Sequence, residues 1–414
     1  MTVRTCRLCD AELVTTFVDL GMSPPVQSFV PPEHVDEPET FYPLHVRVCD
    51  RCLLVQLPTY VAAEDIFTDY AYFSSFSDSW VRHAETFVAD AVERISLDDS
   101  SFVVEIASND GYLLQHVVDR GIRCLGVEPA RNVAETALAR GIPTEVDFLG
   151  EETGAGIAAR HGRADLVVAN NVIGHVPDLR DFVLGLRRLV ADDGWVAVEI
   201  PHLLRLIEGN EFDTIYHEHF QYYTLLTMQR VLAVAGLEVV DVEELSTHGG
   251  SFRTWARPRE HAGAPAAAVE RVLAAEREAG LHALSGYAGF AARVARVRDD
   301  LVRFLIDRSA EGATVAAYGA AAKGNTLLNY CGVRQDLLAF CVDRNPVKQG
   351  TFLPGTHIPV LAEEALVHAR PDFVLLLPWN LRDEIVEQLA YVADWGGRLV
   401  VGLPRLEVLE PARS

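Results

Sequence analysis

One short stretch near the middle of the chain, IYHEHFQYYT at residues 215–224, concentrates Tyr216, His217, Glu218, His219, Tyr222 and Tyr223. Histidine titrates near neutral pH, and a neighbouring carboxylate can orient it and tune its basicity. His219 beside Glu218 therefore reads as a general base. A tyrosine hydroxyl such as that of Tyr216 can donate to a carbonyl oxygen as negative charge develops there. The H-E-H spacing lacks the four-residue separation that puts two histidine ligands on one helix face, so acid–base chemistry is favoured over a metal here. His175, in NNVIGHV, and Tyr70 or Tyr72, in DYAYFSSFS, are further candidates for the same cleft.

A second constellation lies at the N-terminus. Four of the seven cysteines form two C-x2-C pairs, Cys6 with Cys9 and Cys49 with Cys52. Two such turns complete a tetrahedral sulfur site with no open position, which points to a structural rather than a catalytic zinc. The stretch between them, with Pro24, Pro25, Pro31 and Pro32, is too Pro-rich for a helix and too short for a core of its own. A metal supplies the missing stability. Cys124, Cys331 and Cys341 sit in apolar contexts and read as small core hydrophobes.

The elements that must carry these groups are legible from about residue 100, where apolar strands alternate with amphipathic helices as in a parallel sheet. A first strand contains Glu105 and turns through Ser108, Asn109, Asp110 and Gly111 into a helix. A second ends at Glu128, a third runs to Asn170 and Asn171, and a fourth ends near Pro201. A carboxylate at the end of the second strand can accept both hydroxyls of a ribose, and Glu128 fits that position. Only Gly111 is present where a dinucleotide fingerprint has three glycines. Residues 314–330 repeat the pattern: a strand, a small turn of Gly319, Ala320, Ala321 and Ala322, then Lys323. Such a turn suits a phosphate. A strand ending at Asp343 and the stretch FVLLLPWN follow, and an Ala- and Glu-rich helical run over 261–310 reads as a solvated connection.

Composition bounds the rest. Across 414 residues, 49% hydrophobic and 23% charged content is ordinary for globular domains, and the length allows two or three of them. A net charge of −23 argues against nucleic acid as a partner but not against a small anionic substrate. The first residues hold no apolar signal core, and no run of about 20 apolar residues appears, so a cytoplasmic protein with no membrane partner is expected.

The paired C-x2-C, VEIASNDG, NNVIGHV, YHEHFQYYT, THGGSFR and YGAAAKGNTLLN together resemble the zinc-containing sugar C-methyltransferases that use S-adenosylmethionine, over essentially the whole chain. Within them the resemblance is greatest to the thymidine-diphosphate-sugar C-3'-methyltransferases of the tetronitrose type. It implies an α/β protein with an N-terminal zinc-binding segment (1–75), a central Rossmann-like methyltransferase sheet (76–260), a helical connection (261–310) and a C-terminal Rossmann-like α/β domain (311–414).

Carried over to this sequence, the resemblance implies that Cys6, Cys9, Cys49 and Cys52 ligate zinc. It makes Glu105, Ser108, Asn109, Asp110, Gly111, Glu128 and Asn170 the cofactor site, and Tyr70, His175, Tyr216, Glu218 and His219 the active-site set. Tyr72, Tyr216, His248, Ser251, Arg253, Tyr318, Lys323 and Asn325 fall on the substrate side. Phe252 stands where the family usually has Leu, which bears on substrate shape. The implied reaction is methylation of C-3' of a thymidine-diphosphate-linked 4-keto-deoxysugar through an enolate, in deoxysugar or antibiotic biosynthesis, by a monomer. The competing readings are an O- or N-methyltransferase acting on a nucleotide sugar and a non-catalytic nucleotide-sugar-binding protein.

Overall fold

The computed structural model describes residues 5–61 and 73–409, so Tyr70 and Tyr72 lie outside the described residues. By compactness the chain forms two units, each built from three separate stretches. Unit one comprises Met1–Val14, Cys49–His202 and Phe220–Gly286; unit two comprises Thr15–Val48, Leu203–His219 and Tyr287–Ser414.

Unit one is built on a seven-stranded sheet in the order Leu237–Leu245, Ser251–Pro258, Val190–Pro201, Ala164–Asn170, Phe102–Ile106, Arg123–Val127, Thr144–Glu145. Only Ser251–Pro258 runs against the others, pairing antiparallel with both neighbours. The parallel strands are buried on both faces: all five residues of Phe102–Ile106 are buried, Glu105 among them. The chain runs outward from Phe102–Ile106 and then crosses back to Ala164–Asn170. The strand order therefore reverses between these two, and the crevice beyond their carboxyl ends is the expected ligand position.

Helix Asp78–Ile95 shows how a local sequence builds a face of this unit. Ser77 caps it by accepting from the Trp80 N–H, and Ala84, Phe87, Val88 and Ala91 recur at helical spacing and are buried. They pack with Val103, Leu113, Leu114 and Val117 beneath the sheet. The helix ends where Ser96 turns left-handed (φ 56°).

Unit two carries a six-stranded sheet in the order Val360–Leu361, Cys341–Val342, Val315–Tyr318, Phe373–Leu376, Arg398–Val401, Glu407–Leu409, parallel except for the last strand. Its reversal falls between Val315–Tyr318 and Phe373–Leu376. The antiparallel pair Thr15–Ser23 and Tyr42–Val48 also belongs here, and Phe17 stacks on Phe290 at 4.6 Å. The run over 261–310 is helical at Ala267–Glu278 and Phe290–Ala310, but it is not simply solvated. Glu276 is fully buried and accepts from the backbone N–H groups of Leu225 and Leu226, while pairing with His202 at 2.8 Å. The helix Ala267–Glu278 belongs to unit one, and its buried Val269 and Val272 join the core of that unit. Cys124, Cys331 and Cys341 are buried, as small core residues should be. Among the described residues, no helix is long and apolar enough to cross a membrane.

Candidate active site

At the reversal point of the first sheet, the turn after Phe102–Ile106 is held from below by Glu128. Its carboxylate accepts from the Asn109 N–H at 2.9 Å and from the Ala130 N–H at 2.8 Å. The backbone is left-handed at Ala107 (φ 54°), Asn109 (51°) and Gly111 (80°), and across the crevice at Asn171 (55°). Such conformations cost free energy for non-glycine residues and concentrate at functional sites. At Gly111 a Cβ would also lie 2.2 Å from Ile142 Cδ1, so a side chain there would add displacement of Ile142 to the strain of a positive φ.

The turn is pinned from outside as well. Asn109 Oδ1 accepts from the Ser74 N–H, and Arg140 donates to Asp110 at 3.1 Å. Yet Glu105 Oε2, Ser108 Oγ, Asp110 Oδ1 and Asn170 Oδ1 are buried with no hydrogen-bond partner among the described residues. Burial, with the charges of Glu128 and Asp110 beside it, pushes Glu105 well above the ordinary carboxyl range. Burial pushes Glu128 up too. This edge is thus a concentration of acceptors and acids awaiting a ligand that brings hydroxyl and cationic groups.

Residues 215–219 of the acid–base stretch belong to unit two and 220–224 to unit one, and the members in unit two divide by exposure. His217 and Glu218 are buried, whereas Tyr216 and His219 remain partly accessible. Their rings lie 3.8 Å apart, centroid to centroid. His219 Nδ1 meets the Thr214 carbonyl at 2.7 Å. That carbonyl can only accept, so the Nδ1 proton is committed and Nε2 is the basic nitrogen. At Nδ1 the orienting group is therefore a backbone carbonyl, where the sequence suggests Glu218. Burial pushes Glu218 up to about 7 and His217 down to about 4.

The other expected site residues are scattered. His175 closes the 3-10 turn Ile173–His175 beyond the third parallel strand of unit one. His248 sits left-handed (φ 57°) in the turn Thr247–Gly249, its ring 5.1 Å from that of Trp80. Ser251 Oγ donates to the Thr247 carbonyl. Arg253 is buried, paired with Glu199 at 2.6 Å and Glu243 at 3.2 Å. His83 meets the same Glu199 at 3.0 Å. Burial alone would raise Glu199, but His83 and Arg253 outweigh it and hold the carboxyl below its usual range. Arg253 thus serves the interior of unit one.

In unit two, Tyr318 Oη contacts Gln388 at 3.3 Å, and Asn325 Nδ2 donates to the Val26 carbonyl at 2.7 Å. In the turn of residues 319–322, where the sequence suggests a phosphate cradle, the backbone groups of Ala320 are already engaged. The Ala320 N–H already donates to Asp343 at 2.7 Å, and Lys348 donates to the Ala320 carbonyl at 2.8 Å. Lys323 points over the Trp379 ring, 4.7 Å from its centroid, and lies in the field of Asp213 and Glu211.

Residues 246–404 match the family description "C-methyltransferase C-terminal domain", 80–242 "Methyltransferase domain" and 6–67 a zinc binding domain. The C-methyltransferase NovU of Streptomyces niveus is 38% identical over 98% of this chain and 96% of its own. The chain belongs to the C-methyltransferase family. Among solved structures, the CcbJ methyltransferase of Streptomyces caelestis is 13% identical, covering 49% of this chain and 98% of its own, with a TM-score of 0.35. The magnesium protoporphyrin IX methyltransferase of Synechocystis, solved with bound SAH, is 14% identical over 47% and 90%, with a TM-score of 0.34.

As a methyltransferase dependent on S-adenosylmethionine, the protein needs a pocket for a cationic, ribose-bearing donor. The unpartnered acids and amides beside Glu105 and Glu128 fit one. The zinc site fits as well. Cys6 and Cys52 sulfurs lie 3.4 Å apart, Cys9 and Cys49 sulfurs 3.5 Å, and all four fall within 4.8 Å of one another. Bonds of about 2.3 Å to one tetrahedral zinc require this kind of clustering. The two knuckles mirror each other: the residue after the second cysteine, Asp10 in one and Leu53 in the other, is left-handed and donates its N–H to the first cysteine's carbonyl. Gln56 bonds the Cys6 sulfur at 3.2 Å and accepts from the Arg7 N–H at 3.0 Å, supporting the first knuckle.

Sequence reasoning missed Glu199 and Asp213. Glu199 is a lone acid in the apolar stretch WVAVEIPH, which was an available signal; Asp213 sits among Glu208 and Glu211 in IEGNEFDTI and had none.

Proposed function

We propose that this C-methyltransferase acts on C-3' of a thymidine-diphosphate-linked 4-keto-deoxysugar, with His219 as the base. The observation that carries the reading is the Tyr216–His219 pair: of the four consecutive side chains these two are the partly accessible ones, their rings 3.8 Å apart, with Nδ1 committed to Thr214.

A hydrogen next to a ketone is acidic enough for a positioned imidazole. His219 Nε2 takes the C-3' proton, and the electron pair moves into the C-3'–C-4' bond as the keto oxygen becomes an oxyanion. Tyr216 donates its hydroxyl hydrogen bond to that oxygen. Bound S-adenosylmethionine supplies an electrophilic methyl group to which the carbon then bonds as the sulfur leaves with its electron pair. The imidazolium proton returns to solvent. Glu105, Glu128 and the turn at Ser108, Asn109, Asp110 and Gly111 orient the donor by accepting hydrogen bonds from its polar groups.

An O- or N-methyltransferase would need only a lone pair at the acceptor, not carbon acidity. Solvent exchange separates the readings. Incubated in deuterium oxide with a thymidine-diphosphate 4-keto-6-deoxyhexose and no methyl donor, the enzyme should wash deuterium into C-3', and His219→Asn should slow this by about 10²–10⁴-fold. Absence of exchange in the wild type, exchange at C-5' instead, or an unimpaired His219→Asn variant contradicts the proposal.

A further inference from the structure

We propose that the ligand crevice of the second parallel sheet is filled by the protein's own chain and acts as a clamp, in which Thr326, Trp379 and Lys323 are positioning residues for the base loop. This rests on the reading of His219 as the base.

In an open parallel sheet, ligands bind beyond the carboxyl ends of the strands where the strand order reverses. In unit two that crevice lies beyond Val315–Tyr318 and Phe373–Leu376. Residues 211–215 are held by side chains from both of its sides. Trp379, just past Phe373–Leu376, donates its indole N–H to Asp213 at 2.7 Å. Thr326, on the helix Ala322–Cys331 that follows the other strand, donates its hydroxyl to the Ile215 carbonyl at 3.0 Å. Lys323, one turn earlier on that helix, holds its ammonium over the Trp379 ring and within 3.4 Å of Asn380 Oδ1. There it offsets the charges of Asp213, which is fully buried, and of Glu211, which is nearly so.

The two loops at the mouth of this crevice approach closely. A Cβ on Gly319 would lie 2.5 Å from Pro378 Cγ, so the two strand-end loops already touch.

The clamp reaches the base through one peptide unit. The Ile215 carbonyl accepts from Thr326, and the Thr214 carbonyl beside it accepts from His219 Nδ1. Thr214 is itself fixed, its hydroxyl donating to the Glu211 carbonyl at 2.7 Å. Releasing Thr326 or Trp379 lets these consecutive carbonyls rotate, and the imidazole follows its partner. A misplacement of about 1 Å at a reacting group costs on the order of 10²-fold in rate. The second Rossmann-like sheet thereby acts on catalysis without touching substrate.

The test uses the full-length zinc-bound enzyme with Thr326→Val, Trp379→Phe, the conservative Thr326→Ser, and His219→Asn. Two readouts are taken: kinetics and deuterium exchange with a thymidine-diphosphate 4-keto-6-deoxyhexose, and 15N spectra of the histidine-labelled protein, the His219 ring signals being those lost in His219→Asn. Thr326→Val and Trp379→Phe should lower kcat and exchange roughly 10- to 100-fold. They should leave sugar KM and donor affinity little changed and shift the His219 ring signals, while Thr326→Ser stays near wild type. Wild-type rates and ring signals in both variants would overturn the clamp, as would a raised sugar KM at unchanged kcat, which would make the crevice a substrate site. If His219→Asn still exchanges deuterium, the base assignment fails instead. The ring signals then decide the clamp alone: a shift in Thr326→Val supports it, and no shift overturns it.

Discussion

Two turns in this protein are built alike and do opposite things. Each follows the first strand of a parallel sheet and opens a helix, and each is held by a carboxylate from the end of the next strand. Glu128 accepts from the N–H groups of Asn109 and Ala130; Asp343 accepts from those of Ala320 and Asn345. The difference lies in what surrounds them. Around the first turn, one buried oxygen each of Glu105, Ser108, Asp110 and Asn170 has no partner among the described residues, and the acids are crowded together. Around the second, Lys348 lies 3.7 Å from Asp343, and Lys323 balances Asp213 and Glu211. The first edge leaves four such oxygens clustered around one turn; at the second, Asp213 Oδ1 and Asn325 Oδ1 also have no hydrogen-bond partner among the described residues, but cations and backbone groups of its own chain engage the turn. A Rossmann-like turn is therefore a site only when its polar groups are left over, and the strand–turn–helix pattern alone does not tell which case applies.

The largest expected effect breaks the closed edge. Lys323→Met should leave Asp213 and Glu211 buried without their cation, and removing one partner of a buried ionic group costs about 3–5 kcal/mol. Denaturant unfolding should show that loss while donor affinity stays unchanged. A stable variant with weakened donor affinity would mean that Lys323 serves a ligand.

A smaller effect isolates burial from charge pairing. Glu218 is pushed up to about 7 by burial alone. A carboxyl whose folded pKa is raised holds its proton more tightly in the folded state, so its contribution is intact below about pH 4.5 and is lost as pH rises towards 7. The stability of wild type minus that of Glu218→Gln should fall by up to about 3 kcal/mol across that window and then level off. A difference that is flat with pH would show that Glu218 is ionised and partnered.

Much of this was legible because the chemistry is local. The cysteine pairs announce their knuckles by spacing, and Glu105, Gly111 and Glu128 mark the first edge through their order along consecutive strands. The second edge looked equally promising, because Gly319, Ala320, Ala321 and Lys323 have the right types. What closes it comes from far along the chain: Asp213 meets Trp379 across 166 positions. The exchange of residues 15–48 and 203–219 into unit two rests on similar long-range packing, such as Phe17 on Phe290, which a linear pattern does not display. Glu276 misled for the converse reason. Its helix has the composition of a solvated one, and only the folded chain shows the carboxylate capping the helix Leu225–Ala233.

The central claim, that the first edge is the donor site and its counterpart is not, is tested most directly by calorimetric titration of S-adenosylhomocysteine into wild type, Glu128→Ala and Asp343→Ala. Both substitutions delete a carboxylate making the same two backbone bonds. Glu128→Ala also removes the acceptor for the ribose, and hydrogen bonds to a charged group contribute about 1.5–3 kcal/mol, so affinity should fall roughly 10- to 100-fold. Asp343→Ala should bind like wild type. Unchanged affinity in Glu128→Ala, or an equal loss in Asp343→Ala, would contradict the account.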